Sequence, residues 1–171
     1  MNKRKIILTG IAAVFIILLG VSVFLIVKKR YLGQAIVNIP EFCLPQAGNG
    51  MLFCNTQLTQ GKPVVITYFH TDCVYCHTKA QQLQQKTASI EGIQWILVSY
   101  AEKDSIVKFI DKYNLNSVSD LYVLSDSLFS LHNSLQVESI PSTYIYNSRH
   151  KLVKVMRGST KIETIVKLAA P

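Results

Sequence analysis

At 171 residues the chain has room for one domain with its own core, and no internal repeat suggests more. Its formal charge of +8 is not a nucleic-acid footprint: Lys3, Arg4, Lys5, Lys28, Lys29 and Arg30 supply six of the eighteen basic residues, no acid lies among residues 1–30, and the remainder is twelve basic against ten acidic, or +2. All four cysteines precede residue 77, an even count that suits an oxidising, extracytoplasmic compartment.

Ile6 to Val27 is a run of 22 residues without a charge. As a helix it would be about 33 Å long, enough to span a hydrocarbon core. A cleavable signal peptide would have a shorter apolar region and a small-residue cleavage site; here Lys28-Lys29-Arg30 follows as a stop. The spacing predicts an uncleaved anchor over residues 1–30, a linker over 31–38 and one domain over 39–171. Basic residues flank both ends of the run, so charge leaves the orientation open. The cysteines predict that residues 31–171 lie outside the cytoplasm.

Ile39 to Thr56 reads as a hairpin around Pro45-Gln46-Ala47-Gly48-Asn49-Gly50. With Gly48-Asn49 as a two-residue turn, Cys43 falls opposite Cys54 at a hydrogen-bonded pair, where Cα atoms sit further apart, whereas a turn at Asn49-Gly50 breaks that pairing. A structural cross-strand disulfide is the expectation; a second redox pair is the alternative.

Val64 to Phe69 is apolar and β-branched, as a buried central strand should be. His70-Thr71-Asp72 breaks it, Cys73-Val74-Tyr75-Cys76 follows, and the chain turns to helix formers with Ala80, Leu83 and Ala88 at helical spacing. A Cys-x-x-Cys therefore stands at a helix N-terminus. There the first sulfur meets unpaired N–H groups and the positive end of the helix dipole, which favour thiolate over thiol. Cys73 reads as the attacking thiol and Cys76 as the resolving thiol. Cys73 to His77 also spells C-x-x-C-H, the haem c attachment pattern, and Cys73, Cys76 and His70 or His77 could be metal ligands; two inert buried cysteines are a further reading. The strand-to-helix setting fits a redox dithiol better.

Gln94 to Ser99 is a second apolar strand with Trp95 in the core, and Lys103 to Tyr113 is an amphipathic helix. Leu121 to Leu124 is a short strand. Leu128, Phe129, Leu131 and Leu135 predict one short helix. Ile140-Pro141 precedes a strand, Thr143 to Tyr146; a turn leads to a half-exposed strand, Lys151 to Arg157, and Lys161 to Leu168 closes the chain as a helix. Strands alternating with helices, then two strands joined by a tight turn, give an α/β sandwich around one mixed sheet.

In this order of parts the chain resembles the thioredoxin-like superfamily, and within it membrane-anchored TlpA/ResA-like, redoxin-type thiol–disulfide oxidoreductases. Four features carry the likeness: the N-terminal anchor, the hairpin before the first long strand, TYFHTDCVYCHTKAQQL, and SIPSTYIYNSRHKLVKVMRG. It covers residues 39–168. The resemblance implies a thioredoxin-like three-layer sandwich with an added N-terminal hairpin, single-pass anchoring by residues 6–27 in the cytoplasmic membrane of a bacterium, and exchange of the Cys73–Cys76 pair with protein thiols and an upstream redox donor. It implies no cofactor and no metal. It makes Pro141 a cis-proline whose loop packs beside the dithiol and leaves neighbouring backbone free for a substrate cysteine. Two departures stand out. Asp72 replaces the family's Trp before the first cysteine, and an anion there should oppose ionisation of Cys73. Thr67 and Lys79 occupy the plausible positions of the family's buried acid. Glu138, near Pro141 in sequence, is a candidate for that acid, with a solvated surface glutamate as the other reading. Two other readings remain: a Sco-like copper-binding assembly factor, which usually spaces its cysteines C-x-x-x-C, and a thiol peroxidase, which needs Thr three residues before its cysteine where Thr71 lies two before.

Overall fold

The computed structural model describes residues 11, 13–25 and 36–169. The chain divides into two compact units, 1–35 and 36–171. In the first, residues 13–25 are helical with their apolar side chains exposed. Among the described residues no helix is long and apolar enough to cross a membrane, and residues 6–10, 12, 26 and 27 of the expected anchor lie outside them. So do residues 31–35 of the expected linker.

The second unit is built on five strands: β3 (Val64–Phe69), β4 (Gln94–Ser99), β5 (Leu121–Ser125), β6 (Ser142–Tyr146) and β7 (Leu152–Arg157), in the order β5-β4-β3-β6-β7. β3 and β4 are buried along their whole length, which is why both read as continuous apolar runs. β3 pairs parallel with β4, and β4 with β5; β6 is antiparallel to both β3 and β7. This is the expected central mixed sheet.

Side chains alternate across it. Val65 and Phe69 join a core formed with α1 (Val74–Gln85), α2 (Lys103–Lys112) and α4 (Ile162–Ala169), through Cys76, Ala80, Leu83, Ile106, Phe109, Ile110, Ile162 and Ile165. Val64, Ile66 and Tyr68 face the other core, with Leu131 and Leu135 of α3 (Ser130–Leu135), Phe42, Leu44 and Phe53. The three layers match the expectation, with local corrections. α1 ends at Gln85 and Ala88 is exposed in a following 3₁₀ turn, so it is not part of the helical stripe. α3 starts only at Ser130; Leu128 is 86% exposed and Phe129 adopts a left-handed conformation at φ 57°. Residues 36–38 are tied to the domain: Ile36 packs on the second core, the Val37 carbonyl accepts from Leu152 N at 2.8 Å, and Asn38 bridges Lys151.

β1 (Cys43–Pro45) and β2 (Leu52–Cys54) form the hairpin in the expected register, Cys43 opposite Cys54. The turn differs. Gly50 N donates to Gln46 O and Gln46 N to Met51 O, both at 2.8 Å, so four residues, Ala47 to Gly50, make the loop. Gly50 sits at φ 73°, a region glycine enters without steric cost. The longer loop shifts the hydrogen-bonding phase by one pair. Asn55 N bonds to Phe42 O at 3.0 Å and Cys54 N to Gln57 Oε1 at 2.7 Å, so 43 and 54 are a non-hydrogen-bonded pair, with Cα atoms 4.0 Å apart. The wider spacing expected for them does not arise, and a disulfide joins them. Ala47 N also donates to Val123 O at 2.9 Å, and Gln46 bridges Leu124, so the hairpin covers the outer edge of β5.

The disulfide closes a short loop, with a sequence separation of 11. In the chain-entropy model such a cross-link contributes about 3 kcal/mol by restricting the unfolded chain. The Cys43→Ala, Cys54→Ala variant is expected to lose about 3 kcal/mol of unfolding free energy, read as a lower urea midpoint at unchanged m, while keeping its thiol exchange. Loss of exchange in a folded variant would make the pair a second relay.

Candidate active site

The carboxyl end of β3 leads into α1 through only four residues, His70 to Cys73. Cys73 N donates to His70 O at 3.2 Å, and the turn is tightened by Asp72 N donating to His70 Nδ1, also at 3.2 Å. Cys73 is the N-cap of α1, in extended backbone and with no side-chain cap bond, so it stands at the positive end of the helix dipole. Val74 and Tyr75 project outward at the helix start, 74% and 61% exposed. One turn on, Cys76 faces inward and is 2% exposed. Both thiols are free, Cys73 half-buried and Cys76 buried.

Across from them lies the loop before β6. The Ile140–Pro141 peptide is cis, as the resemblance implied. Cys73 Sγ lies 4.0 Å from the carbonyl oxygen of Ile140, and Ser142 Oγ donates to Ser139 O within that loop. Pro141 lines, with Cys76, Lys79, Thr67, Phe109 and Leu97, a cavity of about 10 Å³ beneath the dithiol. Residues named from sequence alone as Cys73, Cys76 and Pro141 therefore meet at one place.

The two thiols have different surroundings. Burial, then the neighbouring Cys73 sulfur, pushes the Cys76 thiol up to about 12; a backbone bond at His70 and the Lys79 charge act the other way. Lys79, which the sequence places with Thr67 at the plausible positions of the family's buried acid, lies inside this site. It is 4% exposed, and burial lowers its ammonium to about 8, against a smaller raising effect of Cys76. Its Nζ donates to Thr143 Oγ1 at 3.3 Å, and Thr143 Oγ1 pairs with Thr67 Oγ1 at 3.2 Å. The available signal was spacing: Cys76, Lys79, Ala80 and Leu83 share one helical face, with a lysine inside the apolar stripe.

The other sequence candidates lie outside this cluster. Asp72 is solvent-facing, its side chain 88% exposed, 3.7 Å from His70 Nδ1. Glu138 forms an exposed ion pair with Arg157 Nε at 3.0 Å. The His77 ring is held by Tyr113 OH, 2.8 Å from Nδ1, and packs on Phe109, which commits it to the helix interface. Among the described residues no group of three or more His, Cys, Asp or Glu side chains is arranged to hold a metal ion.

Residues 37–155 match the AhpC/TSA family. The chain belongs to that family. It is 26% identical over 163 residues to the thiol–disulfide oxidoreductase ResA of Bacillus subtilis, covering 92% of this chain and 87% of ResA. The fold is shared with Mycobacterium tuberculosis DsbF, at a TM-score of 0.66 and 20% identity over 79% of this chain and 95% of that one. It is shared too with a secreted M. tuberculosis disulfide oxidoreductase homologous to E. coli DsbE, at 0.64 and 20% over 78% and 97%. The likeness to redoxin-type thiol–disulfide oxidoreductases expected from the sequence is thereby borne out.

The Lys79 environment has a consequence for stability. With a folded pKa near 8 and an ordinary value of 10.5, the native state binds fewer protons than the unfolded state between those pH values. Stability therefore rises with pH across that window, and the penalty for the buried ammonium is fully present below pH 8. It is on the order of 3 kcal/mol at most. Lys79→Met is expected to unfold at higher urea than wild type at pH 7, with the difference shrinking by pH 10. A variant less stable than wild type at pH 7 would contradict the assignment.

Proposed function

We propose that the chain is a membrane-anchored, extracytoplasmic thiol–disulfide oxidoreductase in which Cys73 attacks, Cys76 resolves and the Pro141 loop receives the substrate. The enzyme class follows from the family and its relatives. One observation carries the assignment of roles: Cys73 Sγ is half-buried at a helix N-terminus against the Ile140 carbonyl, while Cys76 Sγ is buried behind it. The Cys73 thiolate attacks a substrate disulfide, forming a mixed disulfide and expelling the first substrate thiolate. The Cys76 thiolate then attacks Cys73 Sγ, expelling the second and closing the Cys73–Cys76 disulfide. The reverse sequence oxidises a protein dithiol, and an upstream redox donor or acceptor resets the pair. Backbone around Ile140 and Pro141 is placed to align an extended substrate segment beside Cys73.

Extracytoplasmic placement is supported by the Cys43–Cys54 disulfide, a bond that persists in oxidising compartments, and by the uncharged run at residues 6–27 followed by its basic stop. The proposed site lies in the cytoplasmic membrane of a bacterium, with residues 31–171 outside.

Full-length protein in detergent is expected to reduce insulin or oxidise a model dithiol. Cys73→Ser should abolish exchange, and Cys76→Ser should accumulate mixed disulfides. First alkylation of the reduced protein at Cys76 would reverse the roles. Turnover with hydrogen peroxide exceeding turnover with disulfides would favour the thiol peroxidase reading instead.

Anchoring is tested separately. The protein should sediment with membranes and resist carbonate extraction. Mature protein that begins after residue 30, free in the soluble fraction, would remove the anchor.

A further inference from the structure

The proposed exchange leaves one proton unaccounted for. Cys76 is held as a thiol, its burial pushing it up to about 12, yet it must become a thiolate to resolve the mixed disulfide. It must take a proton back when the reaction runs the other way. A buried thiol with no route for that proton would make resolution the slow step. The walls of the cavity beneath the dithiol contain one side chain able to carry it.

We propose that Lys79 is the proton carrier of Cys76: as the free amine it takes the proton from Cys76 Sγ when Cys76 attacks the mixed disulfide, and as the ammonium it returns one when Cys76 leaves. This rests on the dithiol reading above and adds to it a partner for the resolving thiol.

Four observations carry the assignment. Lys79 stands three residues after Cys76 on the same buried helical face, and both line the same cavity. The residues facing it are Thr67 from β3, Leu97 from β4, Thr143 from β6, Phe109 from α2 and the Pro141 loop, so Cys76 is the one titratable group among the cavity's other lining residues, and no carboxylate is among them. The amine keeps one hydrogen bond, to the Thr143 hydroxyl, which in turn pairs with Thr67; hydroxyls serve ammonium and amine alike, because each can donate or accept. The cavity, at about 10 Å³, is at the lower limit for one water, the size of step needed to pass a proton outward. A lysine serving only to fill the core would be a poor choice, since an aliphatic residue of the same length would do so without burying a charge.

The steps balance. The Cys73 thiolate attacks an aromatic disulfide, Ar–S–S–Ar, giving Cys73–S–S–Ar and one ArS⁻. Lys79 amine accepts the Cys76 proton and becomes ammonium. The Cys76 thiolate attacks Cys73 Sγ, the Cys73–S–S–Ar bond breaks, a second ArS⁻ leaves and the Cys73–Cys76 disulfide forms. Lys79 then releases its proton to solvent. In reverse, an incoming thiolate opens the disulfide at Cys73 and Lys79 ammonium protonates the departing Cys76 sulfur.

Lys79 is in its accepting form only above its own titration, near pH 8, so resolution should accelerate as pH rises through that point and then level. The reverse opening, per incoming thiolate, should slow over the same range.

The test uses reduced full-length protein in detergent, mixed with the aromatic disulfide DTNB and followed at the absorbance of the released thiolate. The first, concentration-dependent phase reports Cys73; the second, unimolecular phase reports resolution by Cys76. Wild type is expected to show a second phase that rises with a midpoint near pH 8. Lys79→Met should slow that phase by about a hundredfold or more at pH 8, the usual scale of a lost general base, and abolish the midpoint, with the first phase changed less than about twofold. Lys79→Arg, which keeps the charge and cannot give up its proton, should resemble Lys79→Met. An unchanged second phase in Lys79→Met, or a Lys79→Arg variant as fast as wild type, overturns the proposal. A wild type with no second phase, or a first phase that survives Cys73→Ser, removes the dithiol reading itself and this proposal with it. Should either variant fail to fold, wild type alone decides. The NMR titration midpoint of the Lys79 ε-carbon must coincide with the midpoint of the second phase, and a separation of more than about one pH unit overturns the proposal.

Discussion

The register between β3 and β6 is the constraint on which the site depends. Tyr68 pairs with Ser142 and Thr67 with Thr143, so the residues just before β6 come to rest beside the residues just after β3. That pairing alone brings the Ile140 carbonyl to Cys73, 67 residues earlier in the chain. A slip of one residue would exchange the two faces of β6 and carry Thr143 away from Lys79. Both faces of the sheet are packed, with Val65 and Phe69 under the helices and Ile66 and Tyr68 under the opposite core, so a slipped register would move large side chains into the wrong layer. The cores hold the register, and the register holds the site.

Within that frame the helix α1 does two opposed things. Its N-terminus presents one sulfur to solvent, and its inward face buries another beside a lysine. A buried acid, the residue expected of this family, is neutral when protonated and repels a thiolate when it is not. A buried lysine reverses both statements: it is neutral when deprotonated, and once it has taken the proton it attracts the thiolate it created. The same proton transfer thus ends in an attractive pair in place of a repulsive one. The arrangement carries a stability cost at neutral pH, and a group kept at such cost, among apolar side chains and two hydroxyls, is a reason to look for chemistry at it.

The strands and the dithiol were legible because each leaves a local mark, and the proline through the family resemblance. Val64 to Phe69 and Gln94 to Ser99 are apolar throughout because both faces are covered. Cys73 and Cys76 stand at a change from β-branched to helix-forming residues. Other features depend on contacts that are distant in sequence. Of the two turn placements open in the sequence, Gly48-Asn49 gives the Cys43–Cys54 register and Asn49-Gly50 does not, and the hydrogen-bonding phase follows from neither, since a four-residue loop and a two-residue turn centred on Gly48-Asn49 give the same cross-strand pairs. Leu128 and Phe129 fit a helical pattern, but Asp126 accepts from Ser130 N at 2.8 Å and starts the helix later. Spacing puts Lys79 on the apolar stripe of α1, but the partners that bury it, Thr67 from one strand and Thr143 from another, meet it only in the fold.

The position of the Cys43–Cys54 hairpin bears on its role. It lies along β5, and β4 separates β5 from β3. With strands about 4.8 Å apart, the hairpin, one spacing beyond β5, lies roughly 14 Å from the strand that delivers Cys73. Its flanking residues Phe42, Leu44 and Phe53 belong to the core on the face opposite Cys76. Sulfur must reach sulfur in line for a disulfide to be passed on. Direct transfer from Cys73–Cys76 to Cys43–Cys54 would require the hairpin to leave β5, breaking the Ala47–Val123 bond and exposing Phe42, Leu44 and Phe53. Nothing in the proposed exchange between Cys73 and a substrate needs that opening. The arrangement therefore favours a staple over a relay: the disulfide holds the short hairpin whose loop closes the β5 edge, and a redox role for it would have to run through another protein.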